Sequence, residues 1–234
     1  MFGWISAERK GAHRVVDASE VHDGGAHGVL SGITAGTMIA TAIGWREVGA
    51  VQEGDLVLTF DGGMQRVAKV TRTPLWSGSG RCPKAFWPLM VPVGAIDNAE
   101  LMIVLPRQGV MLESDLAEKA LGDPFALVLA AALEGARGVK RVCPADAVEV
   151  VNLHFEADQV IFAEHGALLF CPSGGDLVQI ALRGKVQHCP YQMLPEPCAM
   201  ELVQGHMRSG ECNSCLNALR AARLDQSQGL QVAA

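Results

Sequence analysis

The sequence predicts a mainly β fold with a packed interior, and three observations support this. Short β-branched or apolar runs alternate with turn signals from residue 30 to 172, a spacing typical of β structure. Asp61-Gly62-Gly63 lies between two such runs, and glycine accepts the positive φ angles that hairpin turns require. Hydrophobic residues make up 49% of the 234 residues and the mean hydropathy is +0.21, which indicates a folded chain and not a disordered one.

Five segments have the length and composition of β-strands. In chain order they are Met38 to Thr41, Leu56 to Phe60, Gln65 to Thr71, Leu101 to Leu105 and Val148 to Phe155. The second and third flank the predicted hairpin turn, so we expect them to pair with each other.

Helices are predicted to be few and mostly short. One is expected to begin at Ser114 or Asp115, which can cap a first turn, and to end at Gly122. Residues 128 to 133 fit either a second short helix or a strand that continues into a helix, because periodicity cannot decide over so few residues. A longer helix is expected from Ser214 to Leu224, where strong helix formers carry apolar residues at helical spacing.

The chain is predicted to have three parts. Residues 1–29 are polar and rich in Gly and His, and are expected to form a flexible leader. Residues 30–172 form the β domain, and residues 173–234 form a cysteine-containing tail that ends in the predicted helix. The first part of the tail is expected to be irregular because it contains Pro190, Pro195 and Pro197.

Charge and hydropathy argue against two classes of partner. The formal net charge is −6 and no run of Lys or Arg stands out, which argues against nucleic acid. No segment has the roughly 18 consecutive apolar residues of a membrane span, and the richest run is Phe125 to Leu133. The first ten residues do not resemble a signal peptide, so we expect a cytoplasmic protein whose seven cysteines are reduced thiols.

Five blocks in the middle of the chain occur in a characteristic order. They are Ser31 to Thr41, Val51 to Gly63, Leu101 to Leu112, Phe125 to Leu133 and Val148 to Glu164. Together they resemble the bacterial Hedgehog/intein (Hint) domain family, whose opening block usually reads Cys-Phe-Thr-x-Gly-Thr-x-Ile-x-Thr. The resemblance covers about residues 30 to 172 and implies the compact, horseshoe-shaped β fold of Hint domains.

The resemblance also implies which residues occupy the reactive positions. In that family a thiol or hydroxyl attacks the carbonyl just before it, and a histidine protonates the departing amide nitrogen. Here the nucleophile position falls on Gly32, and the mid-chain histidine falls on Gln108, which cannot deliver a proton near neutral pH. The two histidine positions of the closing block fall on Asn152 and Asp158, of which only Asp158 titrates.

A neighbouring residue offers a second reading of the same site. Ser31 could attack the Leu30 carbonyl by an N-to-O acyl shift, with Asp158 as an unusual assistant. The alternative is that Ser31 hydrogen-bonds its own turn. His154 and His165 lie close to the closing block, but not at the catalytic positions of the family.

Some residues that match the family pattern are interpreted as architecture. Gly36 and Gly54 would supply turn conformations, and Asp55 would accept hydrogen bonds from backbone amides beside the site.

The tail contains a second group of candidate residues. Cys212 and Cys215 have the spacing that lets two sulfurs reach one metal, and a tetrahedral zinc would need two more ligands from Cys189, Cys198, His188 and His206. A dithiol redox pair and incidental cysteines are the alternatives. Outside the tail, core packing is expected for Cys82, Cys143 and Cys171.

Three functions follow from these patterns. The first is a catalytically degenerate Hint domain, without a cofactor, that acts as a structural or protein-binding module. The second is a self-processing domain that cleaves between Leu30 and Ser31. The third is an interaction module stabilised by zinc at Cys189, Cys198, Cys212 and Cys215.

Overall fold

The computed structural model describes residues 20–23, 26–144, 147–173, 191 and 193–205. Its strands are β1 (Glu20–Asp23), β2 (Ala26–Val29), β3 (Ile33–Thr34), β4 (Met38–Thr41), β5 (Gly44–Glu47), β6 (Leu56–Thr59), β7 (Gly63–Arg66), β8 (Lys69–Pro74), β9 (Leu89–Val91), β10 (Met102–Val104), β11 (Gly109–Glu113), β12 (Phe125–Leu129), β13 (Lys140–Arg141), β14 (Glu149–His154), β15 (Gln159–Ala163) and β16 (Ala167–Cys171).

Helical structure in the same residues is sparse. The α-helices are α1 (Asp115–Leu121) and α2 (Glu196–Gly205), and 3-10 turns span Val48–Ala50, Lys84–Phe86 and Ala130–Leu133. None of the described helices combines the length and the apolar composition that a membrane span requires.

The strands form a short hairpin and two larger antiparallel sheets. The hairpin is β1 with β2. The first sheet has the order β13-β9-β10-β3-β14-β8, and the second has the order β12-β11-β16-β15-β4-β6-β7, with β5 paired to β4. The prediction of a mainly β fold is therefore confirmed.

One hydrophobic core lies between the two sheets. Leu89, Val104 and Val151 of the first sheet are buried in the same cluster as Ile39 and Ile161 of the second. Because successive residues of a strand point to opposite faces, β14, β15 and β16 contribute alternate side chains to this core.

Four of the five predicted strands are found within one or two residues of their predicted ends. The prediction of a single strand from Gln65 to Thr71 is wrong, because the chain leaves the second sheet after β7 and enters the first sheet as β8. At the crossing the backbone amide of Val67 donates to the Asp55 carbonyl (2.9 Å) and that of Ala68 to the His154 carbonyl (2.8 Å). Two hydrogen bonds to different partners thus replace a continuous ladder.

The predicted turn and the first predicted helix are confirmed. Thr59 pairs with Gly63 across the hairpin, and Gly63 has φ +62°. The Ser114 hydroxyl accepts a hydrogen bond from the Leu116 amide (3.2 Å), and α1 ends at Gly122 with φ +75°. Residues 128 to 133 are the end of a strand followed by a 3-10 turn, which is the second of the two predicted alternatives.

Part of the predicted leader packs on the β domain. Val29 is buried, and its amide donates to the Leu75 carbonyl (3.0 Å). Gly28 lies directly against the Phe86 ring, where a Cβ atom would clash. Residues 26–29 therefore differ from the flexible segment that the composition predicted, since small and apolar residues allow close packing here.

The tail also contributes to the core. Ala199, Leu202 and Val203 of α2 are buried in the same cluster as the two sheets, so the prediction of irregular structure is wrong for residues 196–205. Pro197 lies in the first turn of α2, where a helix needs no N–H donor. The predicted helix from Ser214 to Leu224 lies outside the described residues.

Candidate functional site

Three of the positions that the Hint resemblance singles out meet at one place. Gly32 directly precedes β3, which lies between β10 and β14 in the first sheet. Pairing of Ile33 with Val151 continues in register to set Asn152 beside Gly32. Gln108 follows β10 through a turn in which its amide donates to the Leu105 carbonyl (3.0 Å), and its side chain is 2% exposed.

The side chain of Gln108 has all its polar atoms engaged. Its Oε1 accepts a hydrogen bond from the Gly32 amide at 3.0 Å. Its Nε2 donates to the carbonyls of Gly109 at 3.1 Å and Phe170 at 2.7 Å. The Gly32 N–H needs an acceptor, and the Gly109 and Phe170 carbonyls need donors. The Oε1 of Gln108 therefore faces Gly32, and its Nε2 faces the two carbonyls.

This arrangement stabilises the intact peptide bond between Ser31 and Gly32. Cleavage of that bond requires a proton on the Gly32 nitrogen as it departs. Gln108 presents an acceptor oxygen to this nitrogen, and the donors on its Nε2 point away, toward Gly109 and Phe170. The Gln108 side chain therefore presents no donor to the Gly32 nitrogen.

The backbone and the neighbours of Gly32 leave no room for a nucleophile. Gly32 has φ +123°, a conformation that residues with a Cβ atom rarely adopt. A Cβ atom there would lie 2.5 Å from Val150 Cγ1 and 2.7 Å from Asn152 Oδ1. Val150 is fully buried in a small cluster with Val29, Leu75 and Leu105, so it cannot turn away without opening a cavity.

Ser31 lies next to a carbonyl that is held by the chain. The Leu30 oxygen accepts a hydrogen bond from the Arg107 amide at 2.8 Å. A backbone N–H aimed at a carbonyl oxygen polarises it and stabilises the negative charge that would form on attack. The Ser31 residue itself is partly exposed.

Asp158 lies at the turn between β14 and β15. Its Oδ1 accepts a hydrogen bond from the Ser173 amide at 2.7 Å. No hydrogen bond between described residues joins Asp158 to Ser31 or Gly32. The structure thus brings together Gly32, Gln108 and Asn152, and places Asp158 beside Ser173, just after β16.

Two residues of the site were missed by sequence reasoning. Arg107 contributes through its backbone N–H, which leaves no trace in the side-chain pattern. Val150 contributes bulk, and a valine in a predicted strand gives no sign that it abuts the nucleophile position. The only sequence signal for either was its place inside a family block.

The residues interpreted as architecture are largely confirmed. Asp55 Oδ2 accepts hydrogen bonds from the Gln52 amide (3.0 Å) and from Arg46 Nη1 (3.2 Å). Gly54 has φ +92°. Gly36 lies in the turn between β3 and β4, but its φ is not positive, so this turn does not depend on glycine.

The two histidines near the closing block contact other residues of the β domain. The Nε2 of His154 lies 3.3 Å from the Thr71 hydroxyl, which is within hydrogen-bond distance. His165 is exposed and stacks on Trp45 with ring centroids 4.1 Å apart.

The tail cysteines lie mostly beyond the described residues. Cys189, Cys212 and Cys215 belong to segments outside them, as do His188 and His206. Cys198 lies in α2, is buried and is disulfide-bonded, which departs from the reduced thiols that we expected. A cysteine in a disulfide is not a thiolate ligand, and within the described ranges no three potential ligands cluster. The zinc site stays a prediction.

The other three cysteines differ in burial. Cys171 is buried in the core, and this burial raises the pKa of its thiol to about 12. Cys143 is exposed and Cys82 is partly exposed. Core packing is therefore confirmed for Cys171 and wrong for Cys143.

The chain is similar to several solved structures but to no curated protein. A search of curated proteins finds no significant match. Among solved structures, the chain is similar to the bacterial intein-like domain from Clostridium thermocellum, at 15% identity over 60% of this chain and 98% of that one, with a TM-score of 0.43. It is also similar to the gp41-1 intein, at 12% identity over 58% and 96%, with a TM-score of 0.38.

A third similar structure is a splice-inactive variant of the AceL NrdHF class 3 split intein, at 14% identity over 62% of this chain and 99% of that one, with a TM-score of 0.39. A family model described as the Hint domain matches residues 32–168, which is more than half of the chain. The match spans Gly32, Gln108 and Asn152, and the chain therefore belongs to the Hint domain family.

Proposed function

We propose that this Hint domain does not cleave its own chain and acts as a structural or protein-binding module. The observation that carries the proposal is the packing at Gly32. A nucleophile at this position would need a side chain where the backbone has φ +123° and where Val150 and Asn152 already occupy the space.

The acid–base side of the reaction supports the same function. Amide cleavage by acyl shift needs a nucleophile and a donor for the departing nitrogen, held in one geometry. Gly32 lacks the first, and Gln108 offers an acceptor where the second is needed. Asn152, the third group at this place, does not titrate.

The intact mass of the purified full-length protein tests the proposal. The protein is incubated for a long period with and without a thiol or hydroxylamine, which would capture a thioester or ester. We expect the mass to stay at the 24.8 kDa of the whole chain. Release of residues 1–31 that depends on the added nucleophile would refute the proposal, because it would require reaction at Gly32.

A second candidate is cleavage between Leu30 and Ser31, and one contact favours it. The Arg107 amide at 2.8 Å from the Leu30 oxygen would stabilise the oxyanion formed when the Ser31 hydroxyl attacks. In this shift the C–N bond to the Ser31 nitrogen breaks, a C–O bond to its Oγ forms, and the hydroxyl proton ends on the freed amine.

The same mass experiment distinguishes the two candidates by the length of the fragment. Cleavage at the second site releases residues 1–30 and leaves Ser31 as a new N-terminus. Ser31→Ala should abolish that release, whereas Ser79→Ala, at an exposed serine outside the site, should not. If the single variant Asp158→Asn also fails to release residues 1–30, Asp158 has the role of assistant in this cleavage.

The module would bind protein and not nucleic acid, in line with its net charge of −6. Val93 and Leu101 flank the same end of the β9–β10 pair and are 62% and 53% exposed. Exposed apolar side chains of this kind contribute to protein contacts when a partner covers them. Chemical crosslinking tests whether this surface binds a protein. A partner that crosslinks to the wild type and to Leu101→Met, but not to Leu101→Glu, would support binding here. Equal recovery of the partner with both variants would contradict it.

A further inference from the structure

Two cysteines outside the Hint site flank the same tryptophan. Strand β13 pairs antiparallel with β9, with Arg141 opposite Leu89. The Val142 amide donates to the Pro88 carbonyl at 2.9 Å, which extends the ladder by one step. The register therefore brings Cys143 opposite Trp87, while the indole Nε1 of Trp87 donates to the Cys82 carbonyl at 2.9 Å.

The segment that carries Cys82 is held on both sides. Trp76 stacks on Phe86 with ring centroids 5.3 Å apart, and its Nε1 donates to the Gly80 carbonyl at 3.2 Å. The Ser77 amide donates to the His27 carbonyl at 2.9 Å. These contacts hold the segment 76–87 against the β domain at both of its ends.

Both thiols are accessible, and both cysteines lie beside Trp87. Cys143 is exposed and Cys82 is partly exposed. Burial and, second, the neighbouring Cys143 thiol raise the pKa of Cys82, so the charge of one sulfur acts on the other. The Cys82 sulfur donates to the Pro83 carbonyl at 3.7 Å, and the Cys143 sulfur donates to the Pro144 carbonyl at 3.8 Å.

We propose that Cys82 and Cys143 form a dithiol site that small-molecule disulfides, such as oxidised glutathione, convert reversibly into an intramolecular disulfide. The site is independent of the chemistry at Gly32. It would tie the segment 76–87 covalently to the end of β13.

The exchange balances with one molecule of oxidised glutathione. The exposed Cys143 thiolate attacks one glutathione sulfur, forming a mixed disulfide and releasing one glutathione thiolate. Cys82 then attacks the Cys143 sulfur and displaces the second glutathione. The two cysteine thiols are oxidised, one glutathione disulfide is reduced, and the two thiol protons end on the two released glutathiones.

Peptide mapping of the full-length protein tests the proposal. The protein is equilibrated in glutathione buffers of increasing oxidised fraction, free thiols are then alkylated, and the chain is digested with trypsin and Glu-C. Cleavage at Glu149, Glu156 and Glu164 separates the Cys143 peptide from the Cys171 peptide. We expect a cross-linked pair of residues 82–84 with residues 142–149, lighter by two hydrogens than its parts and abolished by reductant.

Single variants show whether the two cysteines act together. In Cys82→Ser the Cys143 thiol should stop at the mixed disulfide and gain the mass of one glutathione, and Cys143→Ser should do the same at Cys82. Moving the thiol along the segment, with Cys82→Ser and Ser79→Cys combined, should lose the cross-link because disulfides tolerate only a narrow separation of Cα atoms.

Two outcomes would overturn the proposal. One is that both cysteines of the wild type stop at mixed disulfides, or pair only with other cysteines. The other is an equal yield of the cross-link in denaturant, since the pairing would then not depend on the folded geometry.

Discussion

Gly32 shows how one residue can decide the chemistry of a site through its backbone. The φ of +123° and the contacts to Val150 and Asn152 leave no room for a thiol side chain at this position. The side chain would have to displace Val150, which is fully buried, or the backbone would have to leave its present conformation.

We therefore expect Gly32→Cys to destabilise the protein without giving cleavage. Backbone strain and overpacking together cost on the order of 2–4 kcal/mol. Urea denaturation measures the loss, and the intact mass shows whether the chain is cut. Gly36→Cys is the matched control, because Gly36 lies in the adjacent turn with open space around it, and it should be close to neutral. A stable Gly32→Cys protein that releases its N-terminal segment would contradict this account.

Cys171 gives the protein a dependence on alkaline pH. Burial raises the pKa of its thiol to about 12 from a reference value of 9.0. The folded state keeps the neutral thiol, whereas the unfolded chain loses the proton above pH 9.0. The contribution to stability is thus complete below pH 9.0 and is lost as the pH rises toward about 12.

At about pH 10.5 this linkage amounts to roughly 2 kcal/mol. Urea denaturation at pH 8 and at about pH 10.5, in the presence of reductant, measures it as the difference between the wild type and Cys171→Ala. The variant should lose less stability over this interval than the wild type. Cys143→Ala, at an exposed position, should lose as much as the wild type, and equal losses in all three proteins would refute the assignment.

At the scale of elements, the sequence predicted those whose signals are local. The strand Met38–Thr41 and the hairpin at Asp61-Gly62-Gly63 have turn residues at their ends, and α1 carries its own cap and terminating glycine. The break between β7 and β8 could not be predicted, because the change of sheet depends on partners distant in sequence. The same holds for α2, where buried contacts stabilise a helix in a stretch whose three prolines predicted irregular structure.

The helix α2 offers a test of how far the β domain extends. Leu202 is buried in the core cluster, whereas Met200 on the same helix is 42% exposed. Leu202→Ala should cost about 2–4 kcal/mol because it leaves a cavity, and Met200→Ala should cost less than about 0.5 kcal/mol. Denaturant unfolding of the full-length variants measures both values. Equal small effects would show that α2 is not part of the core.

At the scale of the whole molecule, the two sheets are joined through Gln108. Its Oε1 binds the Gly32 amide at the start of β3 in the first sheet, and its Nε2 binds the Phe170 carbonyl of β16 in the second. The sequence predicted that Gln108 and Gly32 belong to one site. It could not predict this bridge, because both of its partners are backbone groups.

Replacing Gln108 by methionine keeps the length of the side chain and removes the bridge. Three buried backbone groups would lose their partner, and we expect a loss of about 1–3 kcal/mol. Hydrogen exchange should also show faster exchange of the Gly32 amide, since its acceptor is gone. Gln52→Met, at an exposed position, serves as the control and should change neither quantity. Unchanged exchange at Gly32 would mean that the bridge does not protect this amide.

The packing around Gly32 also bears on how such a domain could change over evolutionary time. If the domain does not cut itself, as we propose, a self-cutting chain would need changes at Gly32, Val150 and Gln108 together, and we expect the intermediates with one change to be less stable. Selection acting on one substitution at a time would remove those intermediates. The packing at Gly32 would thus keep a single substitution from creating a reactive site, while the surface stays free to diverge.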